Sequence, residues 1–252
     1  MNLRQSINRV LGEMGYRISR APRGQIIPAI ADADLYRGPE HFLRLFRPWL
    51  GSDYDNVFTP EIVHNTMLPR QKLYFLLKLL AQTLTLPGDI FEAGVGSGGS
   101  AKLMLNRLMK AKSNKRMWLL DTFEGYQKVD ARDGEHTQIN QCKCNSKEDV
   151  QRFLENDRVE INLIKGLIPA TLAEVKTDTL SFAHIDVNLY EPTLAATEFC
   201  FERLTKGGVM LFDDYSWPAT HGARQAIDEV CARRNIEVIC VPESTQAFFI
   251  RQ

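Results

Sequence analysis

Two apolar runs in this chain stop abruptly at carboxylates: Phe182-Ala-His-Ile-Asp186 and Val209-Met-Leu-Phe-Asp213-Asp214. A short apolar run closed by an acid reads as a buried parallel strand whose carboxyl end opens onto a ligand site. Three carboxylates converging at such strand ends repel one another unless a cation sits among them. Hard oxygen donors of this kind suit Mg²⁺, Ca²⁺ or Mn²⁺. Neighbours in a regular strand point to opposite faces, so Asp213 and Asp214 would not reach one ion together. The strand is therefore expected to end at Asp213, with the backbone turning at Asp214 to re-aim its carboxylate.

A second constellation lies upstream. Phe91-Glu92-Ala-Gly94-Val-Gly96-Ser-Gly98-Gly99-Ser100 follows an apolar run and opens a helical pattern. Gly94 and Gly96 permit a tight turn close to a ligand, and Gly99 permits close helix–strand packing. Asp121 closes the next apolar run, where a carboxylate can accept both ribose hydroxyls of an adenosine-containing cofactor. Glu92, two residues before the first glycine, would attract the ammonium group of S-adenosylmethionine and repel the pyrophosphate of NAD, which favours the former. A proton acceptor is sought among the histidines. His136 in Asp133-Gly-Glu-His136 leads, because the loop after the second strand can fold over the site and imidazole titrates near neutrality. His184 alternates with Asp186 on one face and reads as a supporting residue; His221 is a further option, and His41 and His64 are less constrained. Tyr215 and Trp217 could wall an acceptor pocket, and aromatic packing explains them equally well.

The elements needed to position these residues follow from periodicity. Leu73, Leu76, Leu77, Leu80 and Leu84 mark an amphipathic helix ended by Pro87-Gly88. Strands are then expected at 89–93, 117–121, 159–165, 180–186, 208–213, 237–241 and 247–250, with helices over 100–109, 147–156, 169–175, 192–204 and 222–234. Alternating strands and helices imply a mostly parallel sheet covered on both faces. Only Pro242-Glu-Ser-Thr separates the last two strands, too little for a crossover helix, so they should pair antiparallel. The expected class is thus an α/β, Rossmann-like sheet of seven strands with an antiparallel last strand, preceded by a helical and irregular N-terminal extension over residues 1–65.

The 252 residues carry 31 basic and 31 acidic side chains, a balance that argues against a broad nucleic-acid footprint. No apolar run is long enough to span a bilayer. Leu3, Ile7, Val10, Leu11 and Met14 predict a surface helix rather than a targeting peptide at the Arg-rich start. Cys142, Cys144, Cys200, Cys231 and Cys240 lack zinc spacing and read as free thiols in a reducing cytoplasm.

Taken in order, Pro87-Gly-Asp-Ile-Phe-Glu92-Ala-Gly94-Val-Gly-Ser-Gly98-Gly-Ser100, Asp121-Thr-Phe-Glu-Gly125, Asp186-Val-Asn-Leu-Tyr190-Glu-Pro-Thr193 and Gly207-Gly-Val-Met-Leu-Phe-Asp213-Asp214-Tyr215 resemble the macrocin O-methyltransferase family. The resemblance runs from about Thr66 to the C-terminus. It implies a class I methyltransferase fold and a metal-dependent transfer of methyl from S-adenosyl-L-methionine to a hydroxyl of a small substrate, a sugar moiety of a natural product. It further implies that Thr66, Met67, Glu92, Ala93, Gly94, Ser100, Asp121 and Thr122 line the cofactor. Asp186, Asp213 and Asp214 would hold the metal, most simply Mg²⁺, with Asp186 also acting on the hydroxyl, and the chain would form a cytoplasmic homodimer. Two departures stand out: Asn188 where relatives carry a second Asp after Asp186, and Val-Gly-Ser-Gly-Gly where many carry Val-Trp-Arg-Gly-Gly. The glycine loop alone would equally fit an NAD-dependent oxidoreductase, which leaves the three aspartates and the terminal strand pair unexplained, or a cofactor-binding protein without catalysis, whose mark would be an empty or blocked metal site.

Overall fold

The five apolar runs that precede helical patterns assemble side by side as parallel strands in a computed structural model, which describes residues 48–134, 137–242 and 244–252. The expected helix near the N-terminus, His41 and His136 lie outside the described residues. The chain divides into two units, Met1–Val57 and Phe58–Gln252. The first contains two short 3-10 turns, Pro48–Leu50 and Ser52–Tyr54.

The second unit holds β1 (Asp89–Ala93), β2 (Met117–Asp121), β3 (Ile161–Lys165), β4 (Leu180–Ile185), β5 (Leu204–Phe212), β6 (Ile239–Cys240) and β7 (Ala247–Ile250) in the order β3-β2-β1-β4-β5-β7-β6. β1 to β5 run parallel; β7 enters antiparallel between β5 and β6. The helices are α1 (Pro60–His64), α2 (Arg70–Thr83), α3 (Gly99–Lys110), α4 (Lys147–Phe153), α5 (Tyr190–Arg203) and α6 (His221–Arg233). The order reverses between β1 and β4, the place where an open α/β sheet leaves a crevice at its carboxyl edge.

Several bounds differ from the sequence expectation for local reasons. β3 starts at Ile161, because the Asn156 side chain accepts from the Arg158 and Val159 amides and donates to the Val159 carbonyl, tying Val159 into a turn. The helix expected at 169–175 is a 3-10 turn, Ala170–Glu174. α5 starts two residues early, at Tyr190, where the buried carboxylate of Asp133 accepts the Tyr190 amide from across the fold. Pro192 then falls in the first turn, where a missing N–H costs nothing. β5 begins directly at the end of α5 and is longer than expected.

The two sheet faces are unlike. Phe91, Ala93, Ala183, Ile185, Met210 and Phe212 project into an apolar cluster beneath α5 and α6. The opposite face carries Glu92 and His184, which are cross-strand partners, and beside them Leu211. Leu73, Leu76 and Leu80 of α2 are completely buried over that face. Its carboxyl end is polar.

Candidate functional site

Both expected constellations meet at the carboxyl edge of the sheet. Gly94 follows β1 with φ 89°, and a Cβ there would lie 1.8 Å from the carbonyl oxygen of Asp186. Only glycine allows the exits of β1 and β4 to touch. The loop is drawn toward β2 by Asp121, whose Oδ2 accepts from the Gly96 amide at 2.8 Å and whose Oδ1 accepts from the Phe123 amide at 2.7 Å. Gly99 has a different role from the one its sequence suggests. Its Cβ would meet the carbonyls of Ile62 and Asn65 and the Cβ of Thr66 at 2.7 Å, so it clears space for the backbone after α1, not for a strand. This contact sets Thr66 and Met67 beside the glycine loop.

Two cavities open here. One, of about 610 Å³, runs past Gly94, Asp121, Thr122 and Tyr126 to Ile168. The other, of about 670 Å³, is bounded by Thr66, Lys72, Ser100, Asp213, Asp214 and Trp217. Met67, Gly94, Gly96, Cys142, Asp186 and Asn188 line both and form the wall between them. Of the residues expected along a cofactor, Asp121 and Thr122 line the first cavity, Thr66 and Ser100 the second, and Met67 and Gly94 both. Glu92 and Ala93 line neither. Both are completely buried within β1, Ala93 in the apolar cluster and Glu92 on the opposite face.

The aspartates do converge. The strand ends at Phe212, one residue earlier than expected, although the Asp213 amide still bonds the Ile185 carbonyl at 3.0 Å. The backbone bends at Asp213 and Asp214, which lets adjacent carboxylates enter one cavity. Side-chain ligand atoms of His184, Asp186 and Asp213 lie within 4.8 Å of one another. Asp214 Oδ2 is buried without a partner. Burial, followed by the charges of Asp213 and Asp214, pushes the Asp186 carboxyl well above its usual range. Burial and Asp213 push Asp214 up to about 6. Asp213 goes the other way: burial alone would raise it, but His184 and Lys72 hold it below the usual carboxylate value.

Under these acids lies a buried row that sequence reasoning only partly found. His184 Nδ1 is 2.9 Å from Glu92 Oε1, and its Nε2 is 4.0 Å from Asp213 Oδ1. Burial disfavours charge on this ring, yet the carboxylates facing it raise its pKa to about 10. Lys72 of α2 places its ammonium on Asp213 Oδ2, and Gln246 Nε2 donates to Asp213 Oδ1 at 2.9 Å. Neither Lys72 nor Gln246 was singled out by sequence. The available signal was spacing, since Lys72 lies four residues before Leu76 and shares its inward face.

Asn188 has φ 60°, a left-handed conformation that asparagine tolerates. Its amide crosses the wall and donates to the Tyr126 hydroxyl at 2.6 Å, to which Cys142 Sγ also donates at 3.1 Å. Burial keeps the Tyr126 phenol neutral. His64 lines the second cavity, alone among the described histidines; His184 is sealed beneath it, and the His221 ring would meet a Cβ built on Gly134. Trp217 lines the cavity, whereas Tyr215 packs on the apolar cluster and donates to Asp228 at 2.7 Å.

The donor set passes a simple test for a divalent cation: oxygens from three carboxylates, one of them buried and unpartnered, border a single cavity. Such a set matches the oxygen preference of Mg²⁺ or Mn²⁺. The five cysteines are free. No helix among the described residues is long and apolar enough to cross a membrane.

Comparison with known proteins agrees with this geometry. The chain is 28% identical over 202 residues to an 8-demethyl-8-(2,3-dimethoxy-alpha-L-rhamnosyl)-tetracenomycin-C 4'-O-methyltransferase of Streptomyces olivaceus, covering 74% of this chain and 73% of the relative. It is 26% identical to the mycinamicin III 3''-O-methyltransferase of Micromonospora griseorubida, covering 80% and 82%. The solved structure of the O-methyltransferase NovP superposes with a TM-score of 0.64 at 24% identity, over 75% of this chain and 82% of that one. The family model for macrocin-O-methyltransferase (TylF) matches residues 47–249. With its glycine loop, its strand-end aspartates and this match over most of its length, the chain belongs to the macrocin-O-methyltransferase family of enzymes.

Proposed function

We propose that this enzyme moves the methyl group of S-adenosyl-L-methionine to a hydroxyl on the sugar moiety of a small natural product, with a divalent cation, Mg²⁺, held by Asp186, Asp213 and Asp214. One observation carries the reading: two cavities, one on the glycine loop and Asp121, the other on the carboxylates, share a wall at Gly94, Asp186 and Asn188. A donor in the first cavity and an acceptor in the second would face each other across it. The sugar assignment draws on the Streptomyces olivaceus relative, whose name gives a rhamnosyl-bearing compound as what it methylates. Family membership disfavours the nicotinamide oxidoreductase and the non-catalytic cofactor protein.

In the proposed reaction the acceptor oxygen would take the methyl group, a C–O bond forming as the C–S bond of the cofactor breaks, and the hydroxyl proton would leave to a base. Bound Mg²⁺ supplies Lewis acidity that lowers the pKa of the hydroxyl. The chain's own residues orient both partners. Asp121 and Thr122 offer acceptors along the first cavity, Asp186 and Asp214 present oxygens to the second, and Asn188 with Tyr126 holds the wall between them. His136 is the proposed proton acceptor from its place in the sequence. His64 is the second candidate, favoured by its position in the acceptor cavity. Acceptor choice is assigned to residues 1–65, and a cytoplasmic homodimer completes the proposal.

The test is an assay of the full chain with S-adenosylmethionine and a panel of glycosides, catechols and hydroxy acids, read by mass for one added methyl group. Methylation of glycosides that stops on chelation and returns with Mg²⁺ is expected. Turnover indifferent to chelator would overturn the metal assignment, and calorimetry showing no S-adenosylmethionine binding would overturn the reading as a whole. Replacing the true base by alanine should lower turnover by about two to four orders of magnitude, so His136→Ala and His64→Ala decide between the two histidines.

A further inference from the structure

The acidic site already contains a cation of its own. Lys72 enters from the first turn of α2, with its side chain only 14% exposed. Its ammonium contacts Asp213 Oδ2, and Nζ also lies 3.3 Å from the Asp213 carbonyl. Gln246, completely buried, closes the arrangement: Nε2 donates to Asp213 Oδ1 at 2.9 Å and reaches the Lys72 carbonyl at 3.4 Å. Asp213 is thus gripped on both oxygens, while Asp214 Oδ2 has no partner. Lys72 itself lines the acceptor cavity beside Asp186, Asp213 and Asp214. Such an ammonium, compact and strongly charged, competes for the same oxygens as a divalent ion.

We infer that Lys72 is a resident counter-cation of the carboxylate site, a positioning residue that shares Asp213 with the divalent ion and so weakens and tunes its binding. The inference rests on the metal assignment proposed above. Its chemical consequence concerns the acceptor. With Asp213 partly taken up by Lys72, a bound Mg²⁺ would have more positions left for oxygens other than the protein's, and a chelating pair of substrate hydroxyls would need two of them.

Mn²⁺ binding to the full chain, followed by electron paramagnetic resonance without turnover, tests this. Removing a unit positive charge a few ångströms from the ion should tighten binding by about tenfold or more in Lys72→Gln. Lys72→Arg, which keeps the charge, should retain wild-type affinity; a lysine needed only for packing would not produce this split. Unchanged or weaker Mn²⁺ binding by a folded Lys72→Gln overturns the inference. Should that variant not fold, Lys72→Gln/Asp213→Asn removes both members of the pair at constant net charge. Its affinity should stay within about threefold of wild type, and a loss of about tenfold or more means Asp213 acts as a full ligand that Lys72 does not offset. A wild-type chain that binds no Mn²⁺ overturns the metal assignment and this inference together, a result distinct from the others.

Discussion

Strand β1 carries one buried carboxylate near each end, and the two are treated in opposite ways. Asp89, at the amino end, is saturated. It accepts from the Arg116 amide at 3.1 Å, from Arg116 Nε at 3.0 Å and from Trp118 Nε1 at 3.0 Å, with Arg116 Nη2 a further 2.8 Å away. Nearby, Lys115 donates to the carbonyls of Leu86 and Gly88. Glu92, toward the carboxyl end, has one partner, His184, and its second oxygen has none. The same shortage extends through its neighbours. Of five buried side-chain atoms without partners among the described residues, Glu92 Oε2, His184 Nε2, Asp214 Oδ2 and Gln246 Oε1 lie at this end, and only Thr197 Oγ1 lies elsewhere. Unsatisfied buried polar atoms cost about 1–3 kcal/mol each. A fold that satisfies one end of a sheet and leaves the other wanting has put its stability at the first and its chemistry at the second.

Substitutions at the two ends should separate these roles. The largest effect is expected for Asp186→Asn, which removes the carboxylate shared by both cavities. Turnover should fall by about three orders of magnitude or more, while the melting temperature holds or rises because a repelled charge is gone. A drop in both would erase the contrast. At the amino end Asp89→Ala should do the reverse, costing about 2–3 kcal/mol in urea unfolding by stranding Trp118 Nε1 and the Arg116 amide. Activity per folded molecule should be unchanged.

Acid sharpens the comparison. Burial alone would raise the Asp89 carboxyl, but hydrogen bonds from Trp118, the Arg116 amide, Thr177 and the Arg116 side chain outweigh it and hold the pKa below normal. A lowered folded pKa stabilises above the unfolded value, about 4, and that stabilisation is lost as pH falls through the folded value. The stability gap between wild type and Asp89→Asn should therefore stay level from neutrality to about pH 5 and close on further acidification; a gap that persists in strong acid contradicts this account. The smallest effect is expected on the wall. Tyr126→Phe removes one hydrogen bond from Asn188 and should weaken S-adenosylmethionine binding by about 1 kcal/mol, near fivefold in calorimetry.

Much of this was legible before any coordinates. Strand runs ending in Asp121, Asp186 and Asp213 are short, apolar and bounded by turns, so their period and their ends are written locally. The antiparallel return of β7 followed from a linker too short for a helix. Other features depend on contacts distant in sequence. The grip on Asp213 joins residues 72, 213 and 246, and no local pattern marks a glutamine after Ser-Thr as buried. Glu92 pairs with His184 across neighbouring strands, a contact between residues 92 apart in sequence that no local pattern names. Gly99 was read correctly as a residue that needs clearance, but its neighbour is α1 and the turn after it, which sequence spacing did not name.

The contact between Gly94 and Asp186 also supplies a diagnostic. Adding one methyl group at Gly94 would drive it into a main-chain carbonyl at 1.8 Å, and no rotamer relieves a clash that begins at Cβ. Among descendants or distant cousins of this chain, loss of that glycine would mark a copy released from selection for methyl transfer even where every aspartate survives. A single codon would then distinguish working genes from decaying ones.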